Sequence, residues 1–141
     1  MSPPGDQLRA ILEAFDRGDA DGALALIDAA YGEEVEFVDP LQRIRGKHAF
    51  MAMNRRFFGA GQQMRVAIES IVGDESEAFV AYTMHYAPRV GPTLTLEAAS
   101  HCRAENGLIV YHRDYWDLLG SVMGSLPGIS TIYRALVARL G

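Results

Sequence analysis

The chain has 141 residues and a formal net charge of −5, with 49% hydrophobic and 22% charged residues. This length and balance predict one folded domain over residues 1–141 and exclude a mainly disordered chain. The acidic balance gives no surface for a polyanion, so we expect no nucleic-acid partner.

The first third of the chain predicts a helical hairpin. The first helix has apolar residues at the i, i+3, i+4, i+7 spacing, namely Leu8, Ile11, Leu12 and Phe15. Asp6 is placed to cap this helix. A second helix follows from Ala20 to Tyr31, and Gly32 ends it.

From Val35 the pattern changes to a short strand, which Pro40 ends because proline lacks an amide donor. Asp39 is therefore expected at a strand terminus. A loop over residues 43–46 leads to a third helix. This helix carries one apolar stripe, formed by Phe50, Met53 and Phe57.

The remainder of the chain predicts long antiparallel strands at 64–69, 79–87, 94–104 and 108–117. The Asn106-Gly107 step favours a tight turn with positive φ. Strands of this length curl, and three helices are available to cover one face. The fold class is therefore α+β: a cone-shaped, curved antiparallel sheet wrapped around the N-terminal helices.

Residues 118–141 predict a helical tail with two apolar stripes and no acidic residue. We expect this tail to close a pocket mouth or to cover a partner subunit. Packing on the domain's own core is one alternative. The other is a membrane-surface helix, for which Arg134 and Arg139 lie opposite the apolar stripe.

Cys102 is the single cysteine, so no intrachain disulfide is possible, and we interpret it as a small core residue. The N-terminus has no basic, apolar leader, and no stretch approaches the roughly 20 apolar residues of a membrane span. These features predict a cytoplasmic protein.

Three stretches resemble the cone-shaped superfamily of ketosteroid isomerase, limonene epoxide hydrolase, SnoaL-type polyketide cyclases and the nuclear transport factor two fold. Residues 18–22 and 35–40, Gly-Asp-Ala-Asp-Gly and Val-Glu-Phe-Val-Asp-Pro, are similar to the isomerase. Residues 112–117, His-Arg-Asp-Tyr-Trp-Asp, resemble the last strand of the hydrolase. The resemblance implies a general base at Asp39 or a water-activating carboxylate at Asp114.

The chain departs from both catalytic sets. Ile11 and Ser100 stand where the isomerase has its oxyanion donors, and Met84 and Tyr86 stand where the hydrolase has an Arg-x-Asp pair. Phe37 and Asp39 likewise stand where the hydrolase has the tyrosine and the asparagine that orient its water. The resemblance therefore implies the fold and a pocket, without selecting one reaction.

Strand alternation predicts which side chains face the pocket. If Asp114 faces inward, so do its alternation partners Val110, His112 and Trp116. The expected ligand-binding residues are Tyr82, Met84, Leu96, Ala98, Ser100, Trp116, Phe37 and Phe57.

The expected catalytic residues are Asp114 as base, with Asp39 or Tyr86 as its partner and His112 as a relay. Each has a structural alternative. Asp114 could form a buried pair with Arg45 or another basic group, and Asp39 could cap a turn. His112 could be a satisfied core group, and the ring of Tyr86 could serve packing.

The sequence thus predicts an acid/base enzyme of the isomerase, epoxide hydrolase or cyclase type, acting on a small apolar molecule without a cofactor. The alternative is a non-catalytic ligand-binding or dimeric assembly domain.

No metal site is predicted, because the histidines lack close spacing. A homodimer through the outer sheet face is expected, because that face carries Tyr111, Arg113 and Tyr115.

Overall fold

The computed structural model describes residues 2–123, 126 and 128–141 and has the predicted α+β class. Its helices are α1 (Pro4–Asp16), α2 (Ala20–Ala30), α3 (Lys47–Ala60) and α4 (Ile129–Ala138), with a π-helical turn at Leu119–Met123. Its strands are β1 (Tyr31–Val38), β2 (Arg43–Arg45), β3 (Gly61–Gly73), β4 (Glu77–Pro88), β5 (Leu94–Glu105) and β6 (Leu108–Trp116). Among the described residues, none of the helices is long and apolar enough to cross a bilayer.

The six strands form one curved, open sheet in the order β2-β1-β6-β5-β4-β3. Neighbouring strands run antiparallel, apart from β1 and β6, which are parallel. Helix α1 packs on β3, β4 and β5, and α3 packs on β1, so the helices fill the concave side. The core lies between these layers and is centred on Ile27, Val35, Val80 and Ile109, each at most 1% exposed.

Local chemistry explains several element ends. The Asp19 side chain caps α2 by accepting a hydrogen bond from the Gly22 amide. Asn106 and Gly107 join β5 to β6 with φ values of 52° and 77°, which confirms the predicted turn. The prediction for Asp6 was wrong: α1 begins at Pro4, whose ring suits the first helical turn, and Asp6 lies within that turn.

Three other predictions needed correction. Tyr31 begins β1 instead of ending a helix, and the loop at 43–46 contains the short strand β2 paired with β1. Val110 does not face the core, because a bulge in the β5–β6 pairing shifts the alternation. Ile109 is the fully buried residue at that level.

The tail after β6 contacts the rest of the domain mainly through its first turn. The turn at Leu119–Met123 contacts β5, whereas α4 contacts that turn and leaves its apolar side chains exposed. Ile132, Leu136 and Leu140 are 62%, 57% and 89% exposed. Residues 124, 125 and 127 of the predicted tail lie outside the described residues.

Candidate functional site

A cavity of about 280 Å³ lies between the helices and the concave face of the sheet. Its wall includes residues of α1, α2, α3, β1, β4, β5 and β6. All the candidates from the sequence line it: Phe37, Asp39, Phe57, Tyr82, Met84, Tyr86, Leu96, Ala98, Ser100, His112, Asp114 and Trp116. The structure thus brings them to one place, and their chemical roles remain predictions.

Asp114 is held on β6 by donors from two strands. His112 Nε2 lies 2.6 Å from Asp114 Oδ1, and Ser100 Oγ donates to the same oxygen at 2.5 Å. Asp114 Oδ2 has no hydrogen-bond partner among the described residues. The carboxylate is therefore anchored through one oxygen, and the other is free to accept from a ligand in the cavity.

His112 is buried and has partners at both ring nitrogens. Its Nδ1 lies 2.7 Å from the hydroxyl of Tyr31. A neutral ring protonated at Nε2 accepts from Tyr31 and donates to Asp114, whereas an imidazolium donates to both. Either protonation state satisfies the pair, so the network is compatible with a proton moving through it.

The surroundings of His112 favour the charged ring. Burial lowers its pKa, but Cys102, Tyr31 and Asp114 together outweigh burial and raise the pKa well above its ordinary value. Of these three, Asp114 is the kind of group that is ordinarily an anion at neutral pH, and it also shares a hydrogen bond with the ring. His112 and Asp114 thus form an ion pair beside the cavity when the ring is protonated.

Two buried tyrosines complete this network. Burial raises the pKa of both Tyr31 and Tyr82, so their hydroxyls stay protonated. Because the proton of Ser100 is committed to Asp114, Tyr82 donates to Ser100 Oγ, at 3.2 Å. Sequence reasoning missed Tyr31, since it continued the apolar spacing of α2.

Asp39 lies at the rim of the cavity as a turn residue. Its Oδ1 accepts from the amides of Leu41 and Gln42, and its Oδ2 accepts from the Gln42 side chain. This arrangement is an Asx-type turn. Arg45 is not the partner of Asp114, because Arg45 is exposed and pairs with Glu36 at 2.7 Å. The basic group that pairs with Asp114 is His112.

Tyr86 also has a structural partner. Its hydroxyl donates to the Phe57 carbonyl at 2.9 Å, and the two rings stack with centroids 4.4 Å apart. Burial raises the pKa of Tyr86. Cys102 is fully buried in the core opposite His112, as expected for a small apolar residue.

Few other polar groups reach the cavity. Asn54 is 5% exposed and donates through Nδ2 to the Phe50 carbonyl, while its Oδ1 has no partner among the described residues. No Lys, Arg or Glu belongs to the described lining. Within residues 2–123, 126 and 128–141, no three His, Cys, Asp or Glu side chains are grouped closely enough to hold a metal ion.

Comparison with known families identifies the domain. The profile of the SnoaL-like domain matches residues 8–112, which is most of the chain. The chain belongs to the SnoaL-like domain family. The match begins in α1 and ends at His112, so this SnoaL-like domain includes the helices and nearly all of the sheet that surround the cavity. No curated protein matches the sequence.

Solved structures share the fold at low identity. A LEH-like epoxide hydrolase from M. tuberculosis is 23% identical with a TM-score of 0.71, covering 92% of this chain and 94% of that one. A putative SnoaL-like polyketide cyclase from Jannaschia sp. CCS1 is 19% identical with a TM-score of 0.71, covering 91% and 96%. A putative hydroxylase from Streptomyces galilaeus, AclR, is 15% identical with a TM-score of 0.68, covering 96% and 89%. This level of identity establishes the fold alone.

Proposed function

We propose that this SnoaL-like protein catalyses an acid–base reaction on a small, largely apolar molecule held in the cavity, with Asp114 as the base. The observation that supports this most directly is the free Oδ2 of Asp114 beside an apolar wall. A general base must lie within hydrogen-bond reach of the proton it removes. Apolar walls provide burial energy, and a few polar groups orient the ligand.

The reaction also requires an acid that donates a proton, and the candidates for this role already form hydrogen bonds within the protein. Tyr86 would have to release the Phe57 carbonyl before its hydroxyl could donate to a substrate. Asp39 would have to give up hydrogen bonds of its turn. His112 contacts Asp114 directly, so it is placed to stabilise the carboxylate and to exchange a proton with it.

The similar structures indicate which substrates to test. Epoxide opening by water, ring closure and proton transfer beside a carbonyl each require a positioned base. Epoxides, cyclisable polyketides and enolisable ketones therefore form the first panel. On the substrate that reacts, Asp114→Asn should lower the rate by about 10²–10⁴-fold, the usual contribution of a general base.

Asp39→Asn is the matched control, because Asp39 lines the same cavity but is committed to a turn. The proposal predicts a much smaller loss of rate in this variant. If Asp114→Asn turns over the reactive substrate as fast as the wild type, Asp114 is not the base.

A non-catalytic ligand-binding domain is the second candidate. The internal hydrogen bonds of Tyr86, Asp39 and both nitrogens of His112 favour it, since such bonds are typical of a structural network. Saturable binding of a panel molecule that is recovered unchanged, with no rate above background, would support this candidate over the enzyme.

A further inference from the structure

The ionisable side chains that line the cavity are mostly acidic. Asp39 and Asp114 are its two carboxyl groups, His112 is its one basic side chain, and no Lys or Arg belongs to the described lining. Even with His112 protonated, these groups sum to one negative charge. A substrate carboxylate or phosphate would therefore lose its hydration without finding a cation.

His112 cannot provide the missing cation. Its two ring nitrogens face Tyr31 at 2.7 Å and Asp114 at 2.6 Å, so its donors are used inside the protein. Its positive charge is paired with the Asp114 oxygen that is already anchored. The other oxygen of Asp114 has no partner among the described residues and remains available as an acceptor.

Asn54 supplies a further acceptor on this wall, whereas the indole N–H of Trp116, which also lines the cavity, is a donor. Asn54 is buried and its Oδ1 has no partner among the described residues. Aromatic residues, among them Phe37, Phe57 and Trp116, form much of the remaining surface. Rings of this kind attract a cation through their negative faces, most strongly where water is excluded.

We infer that the cavity takes a small amine, bound as its ammonium ion by Asp114 Oδ2 and the aromatic wall. This inference rests on the proposed function in that it places the substrate at the same cavity and names its chemical class. An ammonium offers hydrogen-bond donors to the free acceptors, and its charge complements the lining. A carboxylate of the same shape offers no donor, and its charge has the same sign as the net charge of the lining.

Three molecules of similar shape test the inference: benzylamine, benzyl alcohol and benzoate. Their affinities for the full chain are measured at pH 7 by calorimetry or ligand-observed NMR, which requires no turnover. We expect benzylammonium to bind about tenfold more tightly than benzyl alcohol, and benzoate to bind most weakly. Saturable shifts of the His112 ring signals on adding benzylamine to the wild type locate the ligand at this wall.

Asp114→Asn should remove the preference for benzylamine over benzyl alcohol while retaining binding of the alcohol. Asp21→Asn is the control and should keep that preference, because Asp21 is an exposed carboxylate of α2 outside the cavity lining. Benzoate binding as tightly as benzylamine would overturn the inference. So would a wild type whose His112 signals do not respond to benzylamine. Failure to find turnover would instead count against the enzyme proposal alone.

Discussion

The two carboxylate oxygens of Asp114 have different surroundings, and this difference defines the residue's chemistry. Oδ1 is bonded to His112 and Ser100, and the side chain is 20% exposed. Burying a carboxylate is costly unless it is paired, so these two donors are what allows it to stay at the cavity wall. Removing the charge of Asp114 should therefore change the pKa of its neighbour His112.

We predict that Asp114→Asn lowers the pKa of His112, because the variant loses an anion that favours the imidazolium. The measurement is an NMR titration of the His112 ring protons in both proteins. The other histidines serve as internal controls. An unchanged His112 titration would show that Asp114 does not stabilise the charged ring.

The same pair makes stability depend on pH. The pKa of His112 is raised in the folded chain, so its contribution to the free energy of unfolding is fully present below the unfolded pKa of about 6.5. It is lost as the pH rises through the higher folded pKa. We expect the free energy of unfolding in urea to be higher for the wild type than for Asp114→Asn at low pH. This difference should become smaller as the pH rises from about 6.5 through the folded pKa of His112.

Tyr31 forms a hydrogen bond with the Nδ1 side of the His112 ring, opposite the Asp114 contact. Tyr31→Phe removes the hydroxyl that pairs with His112 Nδ1 and leaves a buried nitrogen without a partner. We expect a loss of about 1–3 kcal/mol in the free energy of unfolding, measured by chemical denaturation. Thr93→Val is the control, since it removes a hydroxyl from an exposed loop residue, and it should change stability by less than about 0.5 kcal/mol.

At the scale of elements, the turn between β3 and β4 depends on one glycine. Gly73 has φ +152°, and a Cβ there would overlap the Glu77 carbonyl and lie 2.6 Å from Cα of Ala78. Gly73→Ala should therefore cost about 1–3 kcal/mol of unfolding free energy. Gly59→Ala in α3, where a Cβ meets open space, should instead be neutral or stabilising by up to about 1 kcal/mol. Equal effects in thermal or urea unfolding would contradict this reasoning.

Local signals were sufficient for much of the fold. Asn106-Gly107 specifies its own turn, and the alternation around Asp114 predicts its inward direction from His112 and Trp116. These features depend on neighbours in sequence. The helices and the four long strands could be predicted for the same reason, with ends that differ by a few residues.

Features that depend on distant partners were missed. The bulge that moves Val110 out of the core arises from the register between β5 and β6, which periodicity does not encode. Tyr31 is an alternation residue of β1, but its apolar side chain also fits the spacing of α2. The link from Tyr31 to His112 spans 81 positions and required the parallel pairing of β1 with β6.

At the scale of the whole molecule, the outer sheet face is the expected dimer surface. Phe79 is 44% exposed and stacks on His101, and Arg113 lies over the ring of Tyr115. We predict a sedimentation mass of twice the 15.5 kDa chain. Tyr115→Glu should favour the monomer, because it places a charge within this face. Val90→Glu, on a loop residue that is 91% exposed, should not. A monomeric wild type would refute the dimer.

In the tail, α4 exposes an apolar stripe that the described part of the domain does not cover. We predict that deleting 128–141 leaves the free energy of unfolding within about 0.5 kcal/mol, since exposed side chains contribute little to a monomer. Deleting 118–141 should cost more, because Leu119–Met123 contacts β5. The comparison of the two deletions separates the helix from the turn that precedes it.

If α4 closes the cavity or covers a partner subunit, its loss must change ligand retention or mass. We expect the 128–141 deletion either to release an apolar fluorescent probe from the cavity faster or to reduce the sedimentation mass. A deleted chain that keeps its mass, its probe release rate and its stability would exclude both roles. A large loss of stability would instead show that α4 packs on its own core, where its exposed apolar stripe would have to become buried.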